Sequence, residues 1–503
     1  MRNTVKALTF LTGWLLASAV SAATVPPASL RCATFTGSAS PISHCPATNY
    51  LCYAGNVKPL VGVSDDAACH IPLSDNALCN LSNNQDVLQS AISNTLNKIR
   101  LWVAIAGNSP ITTTFHDYDH PFAYVRPVGM TPGYWRLDIP NETYFSNLQN
   151  VVDYCRQGGV FGNITVEVTF FAPFIGTFSG GPWDGANGKV CVDGAGNFQP
   201  ADTTCTQIGH SLVAAGFSSQ DQFVRPGSDP TNGNRPRQVQ QNLIQWTVDR
   251  LYCYDNVYWE IANEPESGGV DAVTVSQWQA NMVQKAVDAE NAYVGHTPGV
   301  TWRRAIAVNP TTTGFNYVTA TGSLANVNVI NGHYTEIYPA GTGMGAIQLM
   351  LRSGNAANSA FKVLGFNETK ISAITGNAGT LPAGAPDSAR AEGWEFMLDH
   401  GGVYDHWGYN YSSTNGQAAR TQMKNLKNFA SVLFLRQLTK SAADTTGSPT
   451  APAWVSSLPA WGTYNASRAA RLFWAAMEPT STATTKQYVL YLHNSLRRCS
   501  SGT

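Results

Sequence analysis

Two glutamates stand directly behind short apolar segments, where a buried β-strand would reach the edge of a sheet. Glu264 ends the sequence V-Y-W-E-I-A-N-E, and Glu368 ends the sequence K-V-L-G-F-N-E, so each follows an asparagine. Two carboxyl groups held across a cleft can divide acid and nucleophile work, because one stays protonated and donates while the other is ionised and attacks. The two positions therefore indicate a candidate catalytic pair.

The interval between the two glutamates predicts where they lie in a fold. It spans three strand–helix units of about 35 residues each, so if Glu264 ends strand four, Glu368 ends strand seven. Strand-like and helical segments alternate over residues 50–440, with eight strands. Right-handed crossovers allow a doubly wound sheet or a closed barrel. We predict the α/β class and a (β/α)8 TIM barrel, whose catalytic groups lie at the C-terminal ends of the strands.

The rest of the chain divides by composition. Residues 1–22 have the basic start, apolar core and small-residue cleavage site of a secretory signal peptide. Residues 23–49 are predicted to be a disulfide-stapled N-terminal extension, 50–440 the barrel, and 441–503 a linker and partial β-module. The predicted fold is a barrel with a small C-terminal β-rich appendage, and the predicted location is secreted or periplasmic.

The ten cysteines all follow residue 22, and an even number in an exported chain indicates disulfides. Cys191 and Cys205 flank a Gly-rich loop and are expected to close it. The other pairings stay open, although the cysteines that crowd between Cys32 and Cys79 are expected to staple the N-terminal region.

Charge and composition exclude several kinds of partner. Charged residues make up 13% of the chain and the net charge is −1, so no basic patch indicates nucleic acid. No segment after the signal peptide is long and apolar enough to cross a membrane. Aromatic residues make up 11%, which fits either sugar-binding surfaces or core packing. We expect no nucleic-acid or membrane partner, no metal or other cofactor, and a monomer.

The residues around the two glutamates resemble the retaining glycoside hydrolases of clan A, the (β/α)8 enzymes that include the cellulase-like family 5. The resemblance covers roughly residues 50–411, and Asn-Glu-Pro is its most specific motif. It is carried by Asn263-Glu264-Pro265 at a strand end, Arg100 on an early strand, His333-Tyr334 on the strand before Glu368, and Trp407 on the final strand.

This resemblance implies a role for each of these positions. Glu264 would be the acid/base and Glu368 the nucleophile of a double displacement on a β-glycosidic bond. The residues that would bind the sugar or orient the nucleophile are Asn263, Arg100, His333, Tyr334 and Trp407. Glu336, just past the same strand as His333, is the rival nucleophile.

Other readings of these residues remain open. Arg100 alternates with apolar neighbours and is predicted inside the barrel, where it would orient the nucleophile or only form an ion pair. Glu167 and Glu260 are expected to point inward as salt-bridge partners. Trp407 and Trp183 are either sugar platforms or core residues. The sequence F-H-D-Y-D-H at His116–His120 could bind a metal, but contacts to sugar hydroxyls or water are the favoured interpretation.

These observations predict a secreted retaining glycoside hydrolase that acts on a poly- or oligosaccharide. The alternatives are a catalytically inactive carbohydrate-binding barrel and a transglycosidase that uses the same carboxylates. The sugar, the linkage and the choice between endo and exo action stay open.

Overall fold

The fold is that of a computed structural model, which describes just over half of the chain. The described residues are 41–64, 94–105, 123–127, 134–157, 164–172, 182–225, 235–265, 269–294, 303–309, 326–333, 362–368, 393–398, 401–407, 414–440, 454–455, 464–465 and 470–496, apart from single positions within these ranges.

Eight parallel strands close into a barrel. In chain order they are β1 (Leu60–Ser64), β2 (Lys98–Ile105), β3 (Thr165–Ala172), β4 (Val257–Ala262), β5 (Ile306–Val308), β6 (Val329–His333), β7 (Val363–Glu368) and β8 (Val403–Trp407). Each strand pairs with its chain neighbours, and β8 pairs in parallel with β1 to close the ring. The predicted (β/α)8 barrel is confirmed.

Helices lie between these strands and after the last of them along the chain. They are α1 (Glu142–Gln157), α2 (Gln220–Val224), α3 (Arg235–Leu251), α4 (Ala272–Asn291) and α5 (Thr414–Ser431). Strand residues alternate between two faces, and the outward ones form the main core. Phe170 stacks on Trp259 with ring centroids 5.3 Å apart, and Trp278 of α4 belongs to the same apolar cluster. No helix in the described ranges has the length and apolar character of a membrane span.

The N-terminal end of the barrel is closed by a small antiparallel sheet. Its strands are Ser43–His44, Leu51–Tyr53 and Asn56–Val57, and a disulfide joins Cys45 to Cys52. Ile42 and Leu51 pack in one buried cluster with residues that begin the barrel strands, among them Leu60 and Val363. The bottom of the barrel is therefore apolar.

The C-terminal appendage is an antiparallel sheet. Its strands are Leu438–Lys440, Tyr464–Asn465, Ala470–Pro479 and Val489–Leu496. Met477 and Val489 pack against Tyr50 and the Cys45–Cys52 disulfide. The predicted β-rich appendage is confirmed, and its inner face rests on the sheet that closes the barrel bottom.

A second sheet is built from the connections that follow β2 and β3. Its strands are Tyr124–Val125, Trp135–Pro140, Gly188–Val192 and Ser211–Ala214. Cys191 and Cys205 are disulfide-bonded across the loop between the last two strands, as the sequence predicts, with their Cα atoms 5.6 Å apart. The segment from Ala172 to Pro236 is therefore not a bare loop.

Trp183 lies under this sheet and is not a sugar platform. Its side chain is 1% exposed and packs against Phe217 and Phe223, and its Nε1 donates to the hydroxyl of Tyr124 at 3.0 Å. The platform interpretation of this tryptophan was wrong, because the aromatic residues of the insertion bury one another instead of lining a groove.

Charged side chains fill the middle of the barrel above its apolar bottom. Lys98 of β2 forms ion pairs with Glu167 of β3 and with Asp405 of β8, and all three side chains are fully buried. Burial raises the pKa of the Asp405 carboxyl to about 6, although the charge of Lys98 opposes the shift. The inward salt bridge predicted for Glu167 is confirmed.

Asp405→Asn is expected to remove part of the pH dependence of stability. The pKa of Asp405 is higher in the folded chain than its ordinary value of 3.8, so the folded state binds this proton more tightly. This stabilisation amounts to up to about 3 kcal/mol. It is complete below about pH 4 and is lost as the pH rises through about 6. Urea unfolding of both proteins from pH 3.5 to 8 measures it. A free-energy difference between them that does not change with pH would contradict the prediction.

Candidate active site

Glu264 and Glu368 lie at the same end of the barrel. Glu264 follows the last residue of β4 by two positions, and Glu368 is the last residue of β7. Both therefore stand at the C-terminal ends of strands, on the fourth and seventh strands, as their spacing predicts. The structure describes the backbone of Glu368 but not its side chain.

The backbone at Glu264 adopts a conformation that is rare for a residue with a side chain. Its φ angle is +43°, in the left-handed region. Its N–H donates to Oδ1 of Asn309 at 2.9 Å, and Asn309 is fully buried just after β5. Backbone strain of this kind persists only where the surroundings fix it, and it is concentrated at functional sites. Asn309 is one of the groups that fix it.

A local irregularity marks the end of β7 as well. Along β6 and β7 the pairing runs from Val329–Val363 to Gly332–Phe366 and then shifts, so that His333 lies opposite Glu368 instead of Asn367. Such bulges redirect side chains and occur next to active sites. Asn367 is fully buried, and its Nδ2 donates to Oε1 of Glu260 at 3.0 Å.

Arg100 connects β2 to the residue before Glu264. Its Nε and Nη2 donate to Oε2 of Glu260 at 2.8 and 2.5 Å, and Nη2 also donates to Oδ1 of Asn263 at 2.8 Å. Arg100 and Asn263 are both buried, at 2% and 3% exposure. Arg100 therefore forms an ion pair inside the barrel, and the salt bridge predicted for Glu260 is confirmed. In addition, the guanidinium orients the amide of Asn263.

Glu260 is the point at which the interior side chains converge. Besides Arg100, its Oε2 accepts from the hydroxyl of Thr169 at 2.6 Å, and its Oε1 accepts from Nδ2 of Asn331 at 2.8 Å and of Asn367. Its partners thus come from β2, β3, β6 and β7. The sequence analysis placed Glu260 inside the barrel but did not single out the three polar partners. The signal that could have found them is their alternation with apolar residues inside predicted strands.

Gly365 makes room for this convergence. It lies opposite Asn331 in the β6–β7 pairing, and a Cβ atom at this position would overlap Oδ1 of Asn331. Asn331 also donates to Oε1 of Glu167 at 2.6 Å, so its amide joins Glu167 to Glu260. A residue larger than glycine at position 365 would displace this amide.

The hydrogen bonds form a circuit that passes both asparagines preceding the candidate catalytic glutamates. Nδ2 of Asn309 lies 3.5 Å from Oδ1 of Asn367, which in turn binds Glu260. Glu260 binds Arg100, Arg100 binds Asn263, and the next residue, Glu264, returns to Asn309 through its backbone N–H. The β4 and β7 ends are therefore held in one hydrogen-bonded network.

The remaining predicted site residues are placed only in part. His333 and Trp407 are the last residues of β6 and β8, and only their backbones are described. The candidates that lie outside the described residues are Tyr334, Glu336 and His116–His120.

Trp102 is a candidate that the sequence analysis did not include. It follows Arg100 by two positions on β2, so it shares the inward face one step nearer the mouth. It is 6% exposed, the guanidinium of Arg100 lies 5.7 Å from its ring centre, and within the described part of the chain its Nε1 has no hydrogen-bond partner. An indole N–H in this position can donate to a bound hydroxyl.

One group of possible metal ligands occurs among the described residues, and its members are engaged in other contacts. It consists of Cys191, Asp202 and His210. Cys191 is disulfide-bonded, and the Asp202 carboxylate accepts from the backbone of Gln207 at 2.9 Å and pairs with Nδ1 of His210 at 2.9 Å. These contacts organise the loop closed by the disulfide.

Comparison with solved structures finds glycoside hydrolases among the proteins that this chain is similar to. A β-mannanase from the blue mussel Mytilus edulis matches with 13% identity and a TM-score of 0.42, over 77% of this chain and 97% of that one. A family 5 mannosidase from Rhizomucor miehei matches with 12% identity and a TM-score of 0.46, over 78% and 98%. A family 5 cellulase from an Icelandic hot spring isolate matches with 11% identity and a TM-score of 0.42, over 76% and 93%. No protein-family model matches the sequence, and no curated protein matches it.

Two of these three matched structures are described as family 5 enzymes. The fold itself rests on the closed barrel, and the roles of individual residues are taken from the contacts described above.

Asn309→Ala is expected to destabilise the fold by about 1–3 kcal/mol, because it removes the buried acceptor of the Glu264 N–H. Asn328→Ala is the matched control: Asn328 accepts from the N–H of Ile306 at 3.0 Å at the opposite end of the same barrel. Chemical unfolding should show a loss in both variants that is no larger in Asn328→Ala, because the Asn328 side chain is only half-buried. Crystal structures should show a changed φ angle at Glu264 only in Asn309→Ala, and an unchanged φ there would refute the role given to Asn309.

Proposed function

We propose that the protein is a retaining glycoside hydrolase that cleaves β-glycosidic bonds of a poly- or oligosaccharide. The observation that carries the proposal is the placement of Glu264 and Glu368 at the C-terminal ends of β4 and β7, each preceded by an asparagine in one buried network. The resemblance of Asn263-Glu264-Pro265 to clan A enzymes supports the same reaction.

In this mechanism Glu264 protonates the departing glycosidic oxygen while Glu368 attacks the anomeric carbon. A covalent glycosyl-enzyme forms, and water deprotonated by Glu264 then releases the sugar with its configuration retained. The two carboxyl groups of a retaining pair lie about 5–5.5 Å apart. Glu264 is partly exposed, as a group that meets solvent and substrate must be.

The surrounding residues have supporting roles in the proposal. Asn263, oriented by Arg100, binds the sugar hydroxyl next to the anomeric carbon, and His333 or Tyr334 contacts Glu368. Trp407, at the end of β8, forms the floor of the sugar site. No metal or cofactor takes part.

Export is part of the proposal as well. Residues 1–22 have the features of a signal peptide, and the disulfides Cys45–Cys52 and Cys191–Cys205 suit an oxidising compartment. The substrate is then a glycan outside the cytoplasm.

Glu264→Ala and Glu368→Ala are each expected to lower turnover of a polysaccharide by at least about three orders of magnitude. On aryl glycosides with good leaving groups, azide should restore turnover to both variants, because it replaces the missing group. The product identifies the role: an inverted glycosyl azide from Glu368→Ala and a retained one from Glu264→Ala. Nuclear magnetic resonance of the products measures this.

The same experiment separates the alternatives. A fully active Glu368→Ala would transfer the nucleophile role to Glu336. Wild type that binds glycans but turns over none in a polysaccharide panel would indicate a binding protein. Longer products at high acceptor concentration would indicate a transglycosidase.

A further inference from the structure

We propose that Glu260 is a positioning residue for the reaction. It sets the geometry of both catalytic strand ends through Arg100 and Asn367, without touching the substrate. The inference rests on the function proposed above and adds a residue to it.

Glu260 is fully buried four positions before Glu264, on the inner face of the same strand. It reaches each strand end by a separate path. Through Oε1 it accepts directly from Asn367, the residue before Glu368. Through Oε2 it accepts from Arg100, which donates to Asn263, the residue before Glu264.

Stability alone does not require a charged residue here. A buried ion pair contributes little net stability compared with well-packed apolar residues, and removing one partner is costly. The carboxylate of Glu260 instead fixes the orientation of the side chains around it. It only accepts hydrogen bonds, so every group around it must turn a donor toward it. Among the described residues, Arg100, Thr169, Asn331 and Asn367 all do so.

Glu260→Gln tests this with little change in shape. Whichever way the new amide turns, its NH2 faces donors: Arg100 on one side, or Asn331 and Asn367 on the other. Asn331 cannot turn without presenting its oxygen to Glu167, and Asn367 cannot turn without losing Asn309. The strand ends must therefore shift, and misplacements of about 1 Å can cost about 100-fold in rate.

Glu290→Gln is the matched control. Glu290 is 3% exposed and, like Glu260, accepts from donors that include an arginine: Nη1 of Arg304 at 2.6 Å and Nε1 of Trp259 at 2.8 Å. It lies on α4, behind β4 and outside the barrel. The two substitutions make the same chemical change in comparable surroundings and differ in their connection to the strand ends.

For Glu260→Gln we expect kcat to fall by about 10- to 100-fold with KM within about threefold of wild type. Glu290→Gln should lower the unfolding temperature similarly and keep kcat within about threefold.

Thr169→Val removes one donor to Glu260 and replaces Glu260→Gln as the test if that variant does not fold. It should lower kcat by about 3- to 10-fold with KM unchanged. Glu260→Gln combined with Asn367→Ala should lose no more than Glu260→Gln alone, since Asn367 belongs to one of the two paths that start at Glu260.

Two results would overturn the inference: a kcat near the wild-type value in folded Glu260→Gln or Thr169→Val, or an equal loss of kcat in Glu290→Gln. If the wild type turns over no glycan, the proposed function fails instead. Crystal structures then decide the positioning role, which requires that the amides of Asn263 and Asn367 move in Glu260→Gln and stay in place in Glu290→Gln.

Discussion

The barrel interior depends on one constraint: a buried carboxylate must be hydrogen-bonded on every side. An ionised group without partners in a protein interior costs several kcal/mol. Among the described residues, Glu260 accepts hydrogen bonds from side chains on four other strands. Because these strands are far apart in sequence, the requirement couples the β2, β3, β6 and β7 sides of the barrel to β4.

The interior is divided along the barrel axis, and the two parts do different work. Around the N-terminal ends of the strands, Leu60, Val363 and Val403 form an apolar layer with the sheet that closes the bottom. Burial of this surface stabilises the fold without specifying the position of any single group closely. Nearer the mouth the same strands carry Asp405 and Asn367, whose hydrogen bonds have fixed lengths and angles. The N-terminal ends of the strands therefore mainly stabilise the fold, and the parts nearer the mouth fix the positions of individual side chains.

The sequence predicts the parts of this arrangement that depend on local periodicity. Eight strands, their order, the placement of Glu264 and Glu368 and the inward direction of Glu167 and Glu260 all follow from alternation and spacing. Features that depend on partners distant in sequence do not follow. From the sequence alone, a glycine at position 365 is expected to weaken its strand. The structure shows that Asn331 lies opposite and occupies the space that a Cβ atom would need.

Two further features of the structure differ from what the sequence predicts. The sheet that buries Trp183 joins one antiparallel pair from each of two connections, and the link between the pairs is a parallel contact of Trp135–Pro140 with Gly188–Val192, which are distant in sequence. At the start of α4 the sequence favours a capping box headed by Thr274. The structure instead has Asp271 as N-cap, with its carboxylate accepting from the Thr274 N–H at 2.8 Å. An aspartate three residues earlier competes equally well for that role.

The asparagines at the strand ends explain how a carboxylate deep in the barrel can act on a backbone N–H at its mouth. A carboxylate accepts only, whereas an amide both donates and accepts. Asn367 must turn its NH2 toward Glu260, which leaves its oxygen for the NH2 of Asn309, and the oxygen of Asn309 is then directed at the N–H of Glu264. Each amide can take only one of its two orientations, because reversing either one would place like groups against each other. The left-handed backbone at Glu264 is thus held by a chain of donors and acceptors that begins at one buried carboxylate and is also oriented by the backbone carbonyl of Asn331, which accepts from Nδ2 of Asn309 at 3.3 Å.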